Sequence, residues 1–284
     1  MNERVVAVVP VHNGARETLA MLESIAGSDC PDLPVIVVDD GSTDRTAELI
    51  RERFPAVTIL AGDGNLWWAG ATNLGIREAL HRGAEHILTM NNDNVVTGGF
   101  LSPLMETLRT FPRSIVTSQL RSLTHPDFIC SSGGVIDWWH GEIRDRTSKR
   151  DEIDVDRLSQ PQWAHASSTL YPAALFREIG LFDNRNFPQY HGDADLSLRA
   201  VAAGYRLLVD PRSIVYRRTA VSGGVTMIDT AGFWNNVLSI RSLFYFRANY
   251  RFYAAHCPGK PFQFFLLIRY IRLLYSLLRK RFGR

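Results

Sequence analysis

Short apolar runs alternate with amphipathic stretches through the first 120 residues. The runs VVAVVPV (5–11), VIVVDD (35–40), VTIL (57–60), HILTM (86–90) and SIVTSQL (114–120) predict strands. The stretches Arg16–Ala26, Thr43–Arg53, Gly70–Arg82 and Phe100–Phe111 predict the helices between them. Strands without polar alternation are buried on both faces, so the pattern predicts an α/β, Rossmann-like, mostly parallel sheet flanked by helices. Ligands of such sheets bind beyond the carboxyl ends of the strands. The segments to inspect are therefore PVHNGA, DDGSTD, AGDGNLWWAGATN and NNDN.

Past residue 120 the pattern weakens. SSGGVIDWWHGEIR reads as a hairpin and DRTSKRDEIDVDRL as an exposed charged connector. Leu196, Ala200 and Ala203, stopped by Gly204, predict a short helix over Ala194–Ala203 with Asp193 at its start. The segment PFQFFLLIRYIRLLYSLLRKRFGR places Arg269, Arg272 and Arg279 on one side of a helix among aromatic and aliphatic residues. It reads as an amphipathic helix lying on a membrane surface, or as one packed on the domain or on another subunit.

Several of these segments can carry chemistry. In VVDDGSTD, Asp40 can accept a hydrogen bond from a base or sugar, while Ser42 or Asp44 can cap a helix; a plain turn is the alternative. Trp67 and Trp68 sit between glycines, where tryptophan either folds onto the core or walls a ligand. Gly70 would let backbone approach a ligand, with Asn73 on the first helical turn facing the same crevice. Asp93 is the one charged group of NNDN. It suffices for Mg²⁺ or Mn²⁺ if the ligand brings phosphate oxygens, and otherwise belongs to a helix-capping turn. Asp193 and Asp195 are two apart at a helix start, so one can face the crevice as a general base while the other turns to Arg199.

Composition narrows the classes. A chain of 284 residues with 45% hydrophobic residues can bury an ordinary core. Cys30, Cys130 and Cys257 are scattered and odd in number, which suggests neither a disulfide framework nor a zinc knuckle. No signal-peptide pattern opens the sequence and no apolar run approaches the roughly 20 residues of a spanning helix, so a cytoplasmic or peripheral membrane location is expected. Net charge is +3, yet no acidic residue follows Asp229 while ten Lys and Arg do, leaving −7 on residues 1–229. Apolar residues among those cations favour lipid over nucleic acid as their partner. A dinucleotide-dependent oxidoreductase would want GxGxxG where this chain has PVHNGA.

Taken in order, VVPVHNGARETLAMLESI, VIVVDDGSTDRTAELI, GNLWWAGATNLGI, LTMNNDNVV, IGLFD and HGDADLSLRAVAAGYRLLVDP resemble glycosyltransferase family 2 enzymes of the GT-A fold, particularly the rhamnosyltransferase-like branch. The resemblance implies a catalytic domain over 1–228, with 1–120 holding the nucleotide sugar and 121–228 the acceptor, then a basic helical extension over 229–284. It assigns Pro10, His12 and Asp40 to the nucleotide base, and Gly70, Asn73 and Asn92 to the base and phosphates. Asp93 would hold Mg²⁺ or Mn²⁺ on the diphosphate, and Asp193 would be the catalytic base. Gly192 stands where the family usually has Glu, and Arg217 stands near the place of a family histidine, where it can pair with phosphate. From their chemistry rather than the resemblance, Trp138, Trp139, Trp163 and His165 read either as acceptor-side groups, aromatic faces being good sugar platforms, or equally as core. The implied donor is dTDP-rhamnose or a UDP-sugar, and the implied acceptor a glycan or lipid-linked saccharide of cell-surface polysaccharide synthesis. An anionic membrane surface and a homo-oligomer are further expected partners. A binding module with lost turnover is the other reading, motivated by the single carboxylate and the missing histidine.

Overall fold

The computed structural model describes residues 4–218, 232–259 and 262–282. The first half follows the alternation of the sequence: β1 (Val5–Val11), α1 (Ala15–Ala26), β2 (Val35–Asp39), α2 (Thr46–Arg53), β3 (Thr58–Ala61), α3 (Trp67–His81), β4 (His86–Met90), β5 (Asn94–Val96), α4 (Leu101–Thr110) and β6 (Ser114–Ser122). Then come β7 (Ile129–Ser131), β8 (Gly134–Asp137), β9 (Glu142–Asp145), β10 (Ser168–Pro172), α5 (Ala173–Ile179), α6 (Gly192–Ala202) and β11 (Arg206–Arg217). Three helices complete the chain: α7 (Phe233–Leu238), α8 (Phe246–His256) and α9 (Phe262–Phe282).

The main sheet runs β3-β2-β1-β4-β10-β6-β11-β5, with β7 on β6, while β8 and β9 form the expected hairpin. β1, β2, β3 and β4 are parallel, as are β6 and β11. β10 is antiparallel to both β4 and β6, and β5 is antiparallel to β11. The sheet is thus mostly parallel, as expected, with antiparallel strands inserted; β10 (STLYP) is buried on both faces, so no polar alternation marks its direction.

Period-two geometry divides the β1 side chains between two cores. Val5, Ala7, Val9 and Val11 pack with α1, α2 and α4, whereas Val6 and Val8 pack with α3, α5 and α6. A third cluster joins Ile136, Trp163, Phe187 and Ala194 to Phe252, Tyr253, Phe265 and Leu273 of the C-terminal helices. The extension is thus packed on the β8–β9 hairpin and the start of α6. The domain boundary expected between 228 and 229 lies outside the described residues.

Arg269 corrects the expected basic face of the last helix. It is buried, donating to the carbonyls of Gly141 (2.6 Å) and Leu243 (3.2 Å), and Arg272 donates to His140 O and Glu142. Both hold α9 on the β8–β9 hairpin, because a guanidinium beside free carbonyls gains more from them than from solvent. Arg279 alone of the three remains exposed without a protein contact among the described residues.

Candidate active site

Parallel β1, β2 and β4 end together, so the loops that follow them meet. The turn after β1 is stitched to the one after β2. The backbone N–H of Asn13 donates to Ser42 Oγ (2.8 Å), and Asn13 Oδ1 accepts from Thr43 N (2.7 Å). His12 donates from Nδ1 to the carbonyl of Asp40 (2.7 Å) and accepts at Nε2 from Asn13 Nδ2 (3.2 Å), which fixes one tautomer of an exposed ring. Pro10 costs the sheet little, because the β1–β4 register ends at Val8 and Thr89, before the missing N–H would matter. Asp44 accepts from Ala15 N at the start of α1 and from Thr46 N at the start of α2. That use of 43–45 as a turn explains why α2 begins at Thr46 rather than at Thr43.

Asp40 is buried, and its carboxylate is given to the next loop. Oδ1 accepts from Gly64 N (2.8 Å) and Oδ2 from Trp67 N (3.0 Å). Gly41 closes this contact: it has φ +72°, and a Cβ there would come within 2.9 Å of Gly64 Cα. The helix expected from Gly70 starts at Trp67, so Asn73 lies on its second turn rather than its first. Asn73 is buried and exchanges two hydrogen bonds with the backbone of Phe182, Nδ2 to O (2.8 Å) and N to Oδ1 (3.0 Å). Gly70 makes room for Asn184, whose amide nitrogen would lie 3.4 Å from a Cβ. Asn73 therefore holds the GLFD segment in place, and Gly70 is buried beside Leu66 and Asn184. Trp68 packs edge-on against Phe182 and donates to Asn91 Oδ1 (3.0 Å).

The asparagines of NNDN pin the turn after β4. Asn91 receives Trp68, Asn92 Nδ2 donates to Thr18 Oγ1 (3.3 Å), and Asn94 exchanges hydrogen bonds with Ser167. Asp93 is half-buried, and its carbonyl accepts from Arg218 N (3.1 Å). No group of three or more His, Cys, Asp or Glu ligands occurs among the described residues. A lone carboxylate at a strand end fits a hard cation only when phosphate oxygens and water fill the other positions. The donor set thus suits Mg²⁺ or Mn²⁺ shared with a diphosphate.

Arg217 ends β11 opposite Asn94 and is buried. Its charge acts on Asp193, Asp145, His165 and Cys130. Asp193 is half-buried in the first turn of α6, where Oδ1 accepts from Ala194 N (2.9 Å). Burial pushes its carboxyl up to about 7; the Ala194 N–H and Arg217 oppose the rise, and the Asp145 charge adds to it. Asp145 closes β9, accepts from Ser131 Oγ (2.6 Å) and is itself raised by burial. Sequence patterning missed it, because nothing marks the acid of a charged connector as turned inward.

Asp195 is paired with Arg199 (2.8 Å), the expected i+4 contact, and also with His256 Nε2 (2.8 Å). Arg199 donates onward to the carbonyls of Ile179 and Leu181. Trp163 and His165 are both buried. Trp163 lies where a Cβ on Gly134 would stand, 1.9 Å from its ring, and His165 contacts Thr117 Oγ1 and Ser118 O. Burial drives His165 down to about 3, so it is neutral. The expected acceptor-side pair forms the floor beneath Arg217 and the hairpin rather than an exposed platform. Trp138 packs on Phe252 and Tyr253, whereas Trp139 is exposed.

A mixed, mostly parallel α/β sheet with helices on both faces and loops gathered at the carboxyl edge of its parallel strands is the GT-A architecture. The chain belongs to glycosyl transferase family 2, whose pattern matches residues 6–155. It is 26% identical over 119 residues to the glycosyltransferase GlyG of Streptococcus pneumoniae, covering 41% of this chain and 38% of that one. An uncharacterized Mycobacterium tuberculosis protein is 45% identical over 42 residues, 15% of this chain and 16% of that one. These matches span well under two thirds of either relative. Among solved structures, GalNAc-T7 with UDP, GalNAc and Mn²⁺ superposes with TM-score 0.63 at 14% identity, covering 93% of this chain and 53% of that one. The mannosyltransferase PcManGT from Pyrobaculum calidifontis, in complex with GDP-Man and Mn²⁺, gives 0.57 at 16% identity, covering 99% and 88%.

Proposed function

We propose that this protein is an inverting, metal-dependent glycosyltransferase of the rhamnosyltransferase-like kind. It would move rhamnose or a related hexose from dTDP-rhamnose or a UDP-sugar to a glycan or lipid-linked saccharide in cell-surface polysaccharide synthesis. The corresponding place of work is the inner face of the cell membrane. The observation that carries this reading is Asp193: a half-buried carboxyl brought to about 7, on the same carboxyl edge as Asp93 and under the influence of Arg217. A base of that strength can take a hydroxyl proton near neutral pH and hold it. UDP, GalNAc and Mn²⁺ in one superposed structure, and GDP-Man and Mn²⁺ in the other, support a nucleoside-diphosphate donor and a divalent cation.

The residue roles follow from position. The stitched loops of His12 and Asp40 shape the base site, and Asp93 is the residue to hold Mg²⁺ or Mn²⁺ with the donor phosphates. When bound, the cation supplies positive charge against the leaving diphosphate. Asp193 removes the acceptor proton as that oxygen bonds to the anomeric carbon, and the carbon–phosphate-oxygen bond breaks on the opposite face. Arg217 lowers the cost of the negative charge gathering at that edge. Residues 1–228 form the catalytic part in this reading and 229–284 its extension.

A thermal-shift series with dTDP-rhamnose and UDP-sugars, with and without Mn²⁺, tests the donor. One nucleotide sugar should raise the melting temperature in a Mn²⁺-dependent way, because a ligand binding only the folded state stabilises it by mass action. Asp93→Ala should abolish that dependence. If no nucleotide moves the transition and no nucleoside diphosphate is released, the proposal fails. The single carboxylate at the cation position favours, as a second reading, a membrane-surface nucleotide-sugar-binding module with weak turnover. That module would show the shift without the release.

A further inference from the structure

The outer side of α9 is apolar and open. Phe264 (54%), Leu267 (57%), Ile271 (55%), Leu274 (45%), Tyr275 (67%) and Leu278 (45%) are all exposed. At 3.6 residues per turn they fall within about 100° of arc and extend for about 21 Å along the helix. The opposite side, with Phe265, Leu266, Tyr270 and Leu273, is buried in the third core cluster. Both sides of this helix are therefore apolar, and only one is covered by the described residues. Trp139 on the β8–β9 turn is 73% exposed, and Phe246 and Tyr250 of α8 are exposed as well; their ring contacts reach α9 at Phe265, Tyr270 and Phe262, on its packed side.

Charge selects the occupant. Arg247 and Arg251 are exposed beside Phe246 and Tyr250, and Arg279 is exposed at the flank of the α9 stripe. No acidic residue follows Asp229. Two copies meeting through this surface would bring two such cationic extensions together, which opposes a symmetric contact. A head-to-tail contact would need an apolar receiver on the domain. Among the described residues the other exposed large apolar side chains of the domain are Leu123, Val155, Leu158 and Val201, with only Val155 and Leu158 near one another in the chain, while Trp234 and Leu238 belong to the same cationic extension. An anionic lipid surface meets both requirements, with hydrocarbon for the stripe and headgroup phosphates for the arginines.

We propose that the outer face of α9 docks the protein flat on an anionic bilayer, with the exposed arginines of α8 and α9 toward the headgroups. No described helix is long and apolar enough to cross a membrane, so the contact is interfacial. It differs from a simple basic-face model, because Arg269 and Arg272 face the hairpin while the apolar stripe faces out. It gives a surface to the membrane-side placement proposed above but does not depend on the transfer reaction.

The test is flotation of the full chain with vesicles of phosphatidylcholine alone and of phosphatidylcholine mixed with phosphatidylglycerol, at low and high salt. Wild type should float with the anionic vesicles, about tenfold or more better than with the neutral ones, and less at high salt. The double substitution Leu267→Glu and Ile271→Glu should reduce flotation by about tenfold or more. It should leave the circular dichroism and melting temperature unchanged, since both side chains are already in solvent. Arg247→Glu with Arg251→Glu should lower binding to the anionic vesicles only, and Asp193→Asn should float like wild type. Wild type remaining unbound in every mixture, equal binding to both vesicle types, or full binding by the Leu267/Ile271 variant would overturn the proposal. So would a wild-type dimer in sedimentation velocity that the same variant converts to monomer.

Discussion

Asp193 shows how three neighbours set one proton affinity. Desolvation raises it, the Asp145 charge raises it further, and Arg217 with the Ala194 N–H pull it down. A base must be deprotonated to act, so kcat/KM should rise with pH and level off above about 7. Asp145→Asn removes a raising charge, so the acidic limb should move to lower pH. Arg217→Gln removes a lowering one, so the limb should move up; shifts in the reverse directions in a pH–rate profile would refute this arrangement. The same group affects stability. Its folded pKa lies above the unfolded carboxyl value, so its contribution is fully present below about 4. That stability is lost as pH rises through about 7. Asp193→Asn should accordingly melt higher than wild type at pH 8 and much closer to it at pH 4. The position of Asp193 was legible in the sequence as an acid at a helix start. Its tuning was not, because Asp145 and Arg217 reach it through tertiary packing from 48 residues before and 24 after.

Among elements, α6 is held from both sides. Asp195 pairs with Arg199 on its own helix and with His256 on α8. The first pair was readable at i+4 spacing, whereas the second joins residues 61 apart and follows no periodicity. Replacing His256 by Ala leaves a buried carboxylate oxygen without this donor, a loss of roughly 1–3 kcal/mol. Through α6 it should lower kcat more than it changes donor affinity, which steady-state kinetics and donor titration together would separate. Asn73 is a parallel case. Its sequence context suggested a ligand contact, yet its amide is used up by the Phe182 backbone. Asn73→Ala should cost on the order of 2–3 kcal/mol in denaturant unfolding, since two buried backbone groups lose their partner. The strands and first helices were legible because burial on both faces writes continuous apolar runs. The direction of β10 was not, because STLYP is buried on both faces and carries no alternation that would set it.

At the scale of the molecule, the C-terminal helices are part of the folded body. Phe252, Phe265 and Leu273 share a cluster with Trp163, Phe187 and Ala194, and Ala194 adjoins Asp193. A chain ending before α9 should therefore lose several kcal/mol, comparable with the net stability of about 5–15 kcal/mol of a domain. Thermal melting should reveal it as a large downward shift. An appendage would leave the transition unchanged. The sequence disclosed the amphipathic composition of α9 but not which side faces in, because both sides are apolar and the arginines divide between them. The central claim remains Asp193 as the acceptor base, and the most direct measurement compares wild type with Asp193→Asn in donor affinity and in single-turnover transfer. Donor binding should stay within about twofold of wild type while transfer falls by about 10²–10⁴-fold. Transfer at the wild-type rate would contradict it.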